Sequence, residues 1–204
     1  MSDTAQEFDR AYAAEQLRRS RHPLRRLVKK LYLDRVLREI SGPTIDFGCG
    51  AGQMLERLPA GSVGLEVNPH LVEALRQGGM DVRLYDAAAD DFSLSPLEPN
   101  RYRSLVISHV LEHFSDTAQV MHKLWGACRR LGVTTIVAVV PSAKGYASSA
   151  VHKTFVNLGW LRDNGLERCE GYVLDRAGYF PVDAEVVGDW FVFHELHLRY
   201  RREA

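Results

Sequence analysis

Three acids stand at even intervals in this chain. They are Asp46 in TIDFGCGAGQML, Glu66 in GLEVNP and Asp86 in LYDAAADDF, each twenty residues after the one before. Each closes a short apolar run that reads as a strand, and glycines at 48, 50 and 52 follow the first. Glycine lets a backbone turn tightly and approach a ligand where a Cβ would clash. The pattern predicts a helix over Gln53–Leu58, whose first N–H groups would face the same ligand. In an open parallel sheet, ligands bind beyond the carboxyl ends of the strands, so the three acids are expected on one rim. A carboxylate directly before the turn would repel a pyrophosphate but hold an ammonium group. Glu66 is placed to accept from ribose hydroxyls, and Asp86 to meet the exocyclic amine of an adenine. S-adenosylmethionine carries all three groups, whereas NAD lacks the ammonium. The NAD-type spacing is G-x-G-x-x-G, and Gly48-x-Gly50-x-Gly52 is one residue shorter.

These motifs resemble those of the class I, Rossmann-like S-adenosylmethionine-dependent methyltransferases. DFGCGAG is similar to their glycine-rich first motif, Glu66 to their ribose-binding acid and Asp86-Ala87 to their adenine-contacting pair. SHVLEHF, Ser108 to Phe114, is similar to the segment after their fourth strand. The resemblance implies an α/β three-layer sandwich around a seven-stranded, mostly parallel sheet in order 3-2-1-4-5-7-6, its last strand antiparallel. It implies S-adenosylmethionine as cofactor, S-adenosylhomocysteine as product, and a contact set of Asp46, Phe47, Gly48, Cys49, Gly50, Gly52, Gln53, Met54, Glu66, Val67, Asn68, Asp86, Ala87, Ser108 and His109.

Methyl transfer from a sulfonium is an in-line displacement, so proximity and alignment dominate and can supply up to about 7–11 kcal/mol. A hydroxyl acceptor also needs a base, which contributes roughly 10²–10⁴-fold. His109 follows the fourth strand, and His113 stands four residues on, sharing its face if the segment is helical. His152 lies in a loop beyond the fifth strand. The competing roles are structural: backbone contact for His109, loop-holding for Glu112 and His113, capping or packing for His152. His194 and His197 fall at odd spacing on the last strand and point to opposite faces. No metal site is expected. His152-Lys153-Thr154-Phe155 with the late Tyr179-Phe180-Pro181 resembles a bacterial subgroup found with surface-polysaccharide assembly enzymes, which implies a small-molecule or saccharide acceptor methylated at oxygen. Ser-His-Val-Leu replaces the Asn/Asp-Pro-Pro-aromatic clamp of resembling DNA adenine enzymes, so no nucleic-acid partner is expected. The alternative is a protein that binds cofactor or product without turnover, as a regulatory partner.

The elements that must position these residues alternate. Strands are predicted at Thr44–Phe47, Val63–Val67, Val82–Tyr85, Ser104–Ser108 and Val133–Val140, with helices near His70–Gln77, Thr117–Leu131 and Lys153–Asn164. Glu167–Leu174 and Asp189–Arg199 should pair antiparallel at the end. Residues 4–40 read as two helices broken at His22-Pro23, the second with an apolar stripe of Leu24, Leu27, Val28, Leu31, Val36 and Leu37. They should form part of the acceptor side or a lid. One domain over 1–204 is expected, a helical segment 1–41 followed by the cofactor-binding core 42–204. Lys+Arg and Asp+Glu each number 26, so net charge suggests no polyanion. A local run from Arg18 to Arg38 holds nine basic residues against Asp34, a solvated face or an anion-docking surface. Three cysteines without metal spacing suggest a reducing compartment. With Asp3, Glu7 and Asp9 in place of an apolar leader, and VTTIVAVV too short to span a bilayer, a cytoplasmic location without membrane insertion is expected, as monomer or homodimer.

Overall fold

The computed structural model describes residues 9–20 and 23–203. Two helices lead, α1 (Arg10–Ser20) and α2 (Pro23–Leu37). There follow β1 (Thr44–Phe47), β2 (Val63–Glu66), α3 (Pro69–Gln77), β3 (Val82–Leu84), β4 (Ser104–Ser108), α4 (Thr117–Arg130) and β5 (Thr135–Pro141). The last part holds α5 (Ala143–Ala147), α6 (Leu158–Asp163), β6 (Arg168–Cys169), β7 (Tyr172–Phe180) and β8 (Glu195–Arg202). All strands join one sheet in the order β3-β2-β1-β4-β5-β8-β7-β6.

The five strands from β3 to β5 are parallel, and β8 lies antiparallel against β5 with Pro141 opposite Glu195. The expected order 3-2-1-4-5-7-6 is therefore present in β1–β5, β8 and β7. The correction is an eighth strand. The run expected as one strand, Glu167–Leu174, folds back on itself at Glu170-Gly171, both at positive φ, and pairs Cys169 with Tyr172. Two left-handed central residues make the tight hairpin whose twist matches its strands. Gly178 lies inside β7, which runs on to Phe180.

β1 and β2 are buried along their full length, as strands covered on both faces must be. Alternation then divides the core. Ile45, Phe47, Leu105, Ile107, Ile136, Ala138, Leu196 and Tyr200 pack on the α4 face with Met121, Leu124 and Trp125. Val106, Val137 and Val139 meet Tyr32, Leu33 and Val36 of α2 on the other. The α2 stripe is thus shifted from the sequence reading: Val36 is buried, but Leu31 is 63% exposed while Tyr32 and Leu33 face the sheet. The side chains of Leu24, Leu27 and Val28, and the break at His22, lie outside the described residues. Helix α3 starts where Asn68 accepts from the N–H groups of His70 and Leu71, with Pro69 at the first helical position. Among the described residues no helix is long and apolar enough to cross a membrane.

Candidate active site at the carboxyl edge of the sheet

Asp46 sits on β1, 3% exposed, and one of its carboxylate oxygens, Oδ2, has no hydrogen-bond partner. The Leu55 N–H donates to the carboxylate, but burial, with help from the Glu66 charge, pushes it up to about 7. The glycine turn follows with Gly48, Gly50 and Gly52 all at positive φ. A Cβ on Gly48 would lie 2.6 Å from Val110 Cγ2, whereas one on Gly50 would project into open space. The turn thus needs glycine for the backbone at 48, and at 50 leaves room for something else.

The helix expected over Gln53–Leu58 is reduced to a single 3-10 turn, Leu55–Arg57. Pro59 forces Leu58 out of the helical region, to ψ 155, and too few residues remain to nucleate an α-helix.

Glu66 reaches back over this turn. Its two oxygens accept from the Gly50 N–H at 2.8 Å and the Asn68 N–H at 2.9 Å. Burial raises its pKa above the usual carboxylate value, while these N–H groups hold the rise down. Asp86 accepts from the N–H groups of Ala88 and Ala89, both 3.1 Å, which turns the chain after β3. All three acids lie at the ends of adjacent strands β1, β2 and β3. Of the expected contact set, Phe47, Cys49 and Met54 have their side chains in the core, so only their backbone is left to face a ligand.

The N-terminal helices close over this edge. Gln53 Nε2 donates to the Ser20 carbonyl, Lys29 to Gln53 Oε1, and Asn68 Nδ2 to the Asp9 carbonyl. From α2, the Tyr32 hydroxyl shares a hydrogen bond with Ser108 Oγ, and its ring lies 5.6 Å from His197 and 6.3 Å from His109.

His109 is where β4 ends, its N–H still donating to the Val139 carbonyl while φ turns to +55. That left-handed bend, unusual outside glycine, lifts the imidazole out of the sheet. Its Nε2 lies 2.9 Å from Glu195 Oε1 and its Nδ1 3.5 Å from Glu112 Oε1. Burial opposes its charge, but two flanking carboxylates outweigh it and raise the imidazole to about 10. Glu195 is correspondingly held at about 2, against its own burial, by His109 and His197.

Glu112, His113 and His152 form a second group beside it. Glu112 is 1% exposed and neither of its oxygens has a hydrogen-bond partner. The His113 and His152 rings meet edge to face at 5.0 Å. The segments are zipped together by Lys153 and Thr154 N–H groups donating to the Glu112 carbonyl at 2.7 and 3.2 Å. Those bonds keep residues 153–157 extended, so the helix expected from Lys153 begins only at Leu158, capped by Asn157.

Tyr32 and Glu195 are the site residues that sequence reasoning missed. Glu195 was findable: β8 runs antiparallel to β5, so its first residue must arrive at the edge that also carries Ser108 and His109. Tyr32 had no such signal, since only packing across the sheet brings α2 there.

Residues 45–136 match the family model of a methyltransferase domain. A search of curated proteins finds no match to the sequence. Among solved structures, an S-adenosylmethionine-dependent methyltransferase from Archaeoglobus fulgidus is 19% identical, with 87% of this chain and 94% of that one aligned at a TM-score of 0.65. Magnesium protoporphyrin IX methyltransferase from Synechocystis, with bound SAH, is 12% identical over 98% of each chain, TM-score 0.67. A chain from the complex of the Haloferax volcanii Trm112 methyltransferase activator with the putative methyltransferase is 14% identical over 98% of each chain, TM-score 0.67. The chain has the Rossmann-like fold of the class I methyltransferases, and the part of it from residue 45 to 136 matches their methyltransferase domain.

Proposed function

We propose that the protein transfers the methyl group of S-adenosylmethionine to a hydroxyl of a small molecule or saccharide. The observation that carries this is the Asp46 carboxylate, buried at the carboxyl edge with an unpartnered oxygen beside a glycine turn open at Gly50. A buried polar atom without a partner is costly, and a cationic ligand removes that cost. Asp46 would hold the ammonium, Glu66 the ribose hydroxyls through lone pairs its two N–H donors leave free, and Asp86 the adenine amine. When bound, the cofactor supplies an electrophilic methyl group on a sulfonium, a leaving group that needs no further activation. The fold match and the solved relatives with bound SAH support the same cofactor.

Acceptor chemistry falls to the residues beyond β4. Flanked by carboxylates on both ring nitrogens, His109 is held as an imidazolium and has no lone pair with which to take a proton. Its role is to fix Glu195 and Glu112 at the edge of the site. The acceptor's proton is handled instead in the group of Glu112, His113 and His152. The β7–β8 loop, with Trp190 83% exposed beside Phe191 and Phe193, leads directly into Glu195 and offers an aromatic face to a sugar ring.

Isothermal titration with S-adenosylmethionine and S-adenosylhomocysteine, on wild type and Asp46→Ala, tests the cofactor reading. Binding strongly weakened by the substitution supports it, and no binding by folded wild type ends it. Loss of turnover in His152→Ala with cofactor binding retained, in a screen beginning with nucleotide sugars and glycans, separates catalysis from mere binding.

A further inference from the structure

We propose that Glu112, His113 and His152 form a mononuclear divalent-metal site of zinc-like donor preference, with one coordination position left open toward the acceptor. One donor atom from each of the three residues lies within 4.8 Å of the other two. Bonds of about 2.0–2.2 Å to a tetrahedral ion place donors about 3.3 Å apart, so modest side-chain rotation closes the set. Two imidazoles and one carboxylate are the ligand set of an open, catalytic type of zinc site, in which the fourth position holds water or substrate.

Two further observations point to a cation. The first is Glu112 itself: a carboxylate 1% exposed, neither oxygen hydrogen-bonded, aimed at His152 Nε2 3.9 Å away. The second is the tautomer of His152. Its Nδ1 lies 2.8 Å from the Tyr146 carbonyl, which can only accept, so the ring hydrogen is on Nδ1. In the neutral ring this leaves the Nε2 lone pair directed at the group. A ligating histidine donating its other N–H to a backbone carbonyl is the usual outer arrangement around a metal, fixing both tautomer and ring orientation. The backbone bonds from Lys153 and Thr154 to Glu112 hold the two ligand-bearing segments at constant separation. Thr154 Oγ1 adds a third tie, to the Phe114 carbonyl at 2.7 Å. His109, 3.5 Å from Glu112 Oε1, steadies the carboxylate from the opposite side.

The chemical role of the ion rests on the proposed methyl transfer, whereas the site does not. A hydroxyl bound at the open position becomes more acidic and gives its proton to water. The O–CH₃ bond then forms as the S–CH₃ bond breaks, its electron pair remaining on sulfur. Such a site would do the work of a general base.

The test is zinc titration of full-length protein, stripped with a chelator, by calorimetry and by metal analysis after gel filtration. Wild type and the surface control His122→Ala should bind one zinc per chain. His113→Ala and His152→Ala should each weaken binding by more than the roughly 10- to 100-fold that loss of an outer partner costs. The two histidines are only partly buried, so these variants should fold even if Glu112→Gln does not, as circular dichroism will show. No zinc bound by wild type, or wild-type affinity retained in both histidine variants, overturns the site. S-adenosylmethionine titrated into the same samples separates the two ideas: zinc binding without cofactor binding supports the site and removes the methyl-transfer reading.

Discussion

Asp46 carries its negative charge only when the solution is alkaline enough to keep a buried carboxyl ionised, and burial with the Glu66 charge places that point at about 7. An ammonium ligand binds the ionised form, so below that pH binding must first expel a proton. Affinity for S-adenosylmethionine should therefore fall as pH drops below about 7, by about tenfold per unit once the acid form dominates. Titration calorimetry on both sides of that pH measures the slope directly, and Asp46→Asn should abolish it while lowering affinity throughout. The sign for stability is opposite. With its folded value raised above the unfolded one, the acid stabilises the cofactor-free fold fully only below about 4, and that contribution is lost as pH rises toward about 7. The ligand and the apo fold thus favour different protonation states of one carboxyl.

In the connection between β3 and β4, one side chain gathers the turn. Asp91, Phe92 and Leu94 all adopt positive φ, a cost of about 1–3 kcal/mol each unless the surroundings enforce it. Asp90 enforces it, accepting from Tyr85 Oη at 2.6 Å, Ser93 Oγ at 2.8 Å, the Ser95 N–H at 3.1 Å and Ser95 Oγ. Burial opposes ionisation, but these donors prevail and hold the carboxyl at about 2. A depressed value contributes stability that is complete above the unfolded value of about 3.9 and disappears as pH falls toward 2. Asp90→Asn should accordingly flatten the acid limb of a urea stability profile. Its cost at neutral pH should be below the roughly 1.5–3 kcal/mol of a buried charged hydrogen bond, since the loop meets water. Element types were legible wherever local chemistry decided them, as at Asn68-Pro69 before α3 and the period of Val120, Met121, Leu124 and Trp125 in α4. They were illegible where a distant partner decided. Residues 153–157 read as helix because their bonds to Glu112 lie forty residues away in the chain.

For the molecule as a whole, the sheet order was expected through the family resemblance carried by the motifs around Asp46, Glu66 and Asp86, whose spacing itself marks only one rim. The far side of that rim was legible only in part, since Tyr32, the Ser108–Glu112 segment, His152 and Glu195 converge from four segments that no spacing relates. What holds the two halves in register is the central core under α4, where Trp125 is fully buried with its ring 5.4 Å from Tyr200 of β8. Trp125→Ala should cost about 3–5 kcal/mol in urea denaturation. Because Tyr200 belongs to the strand that carries Glu195, it should also disturb the acceptor side more than the cofactor side. At its margins the sheet stops short. Three residues of β3 form one border and two residues of β6 the other, the latter with Arg168 ion-paired to Glu203. Borders so brief and charged give another polypeptide little backbone to zip onto, which protects the chain from runaway cross-β association at high concentration.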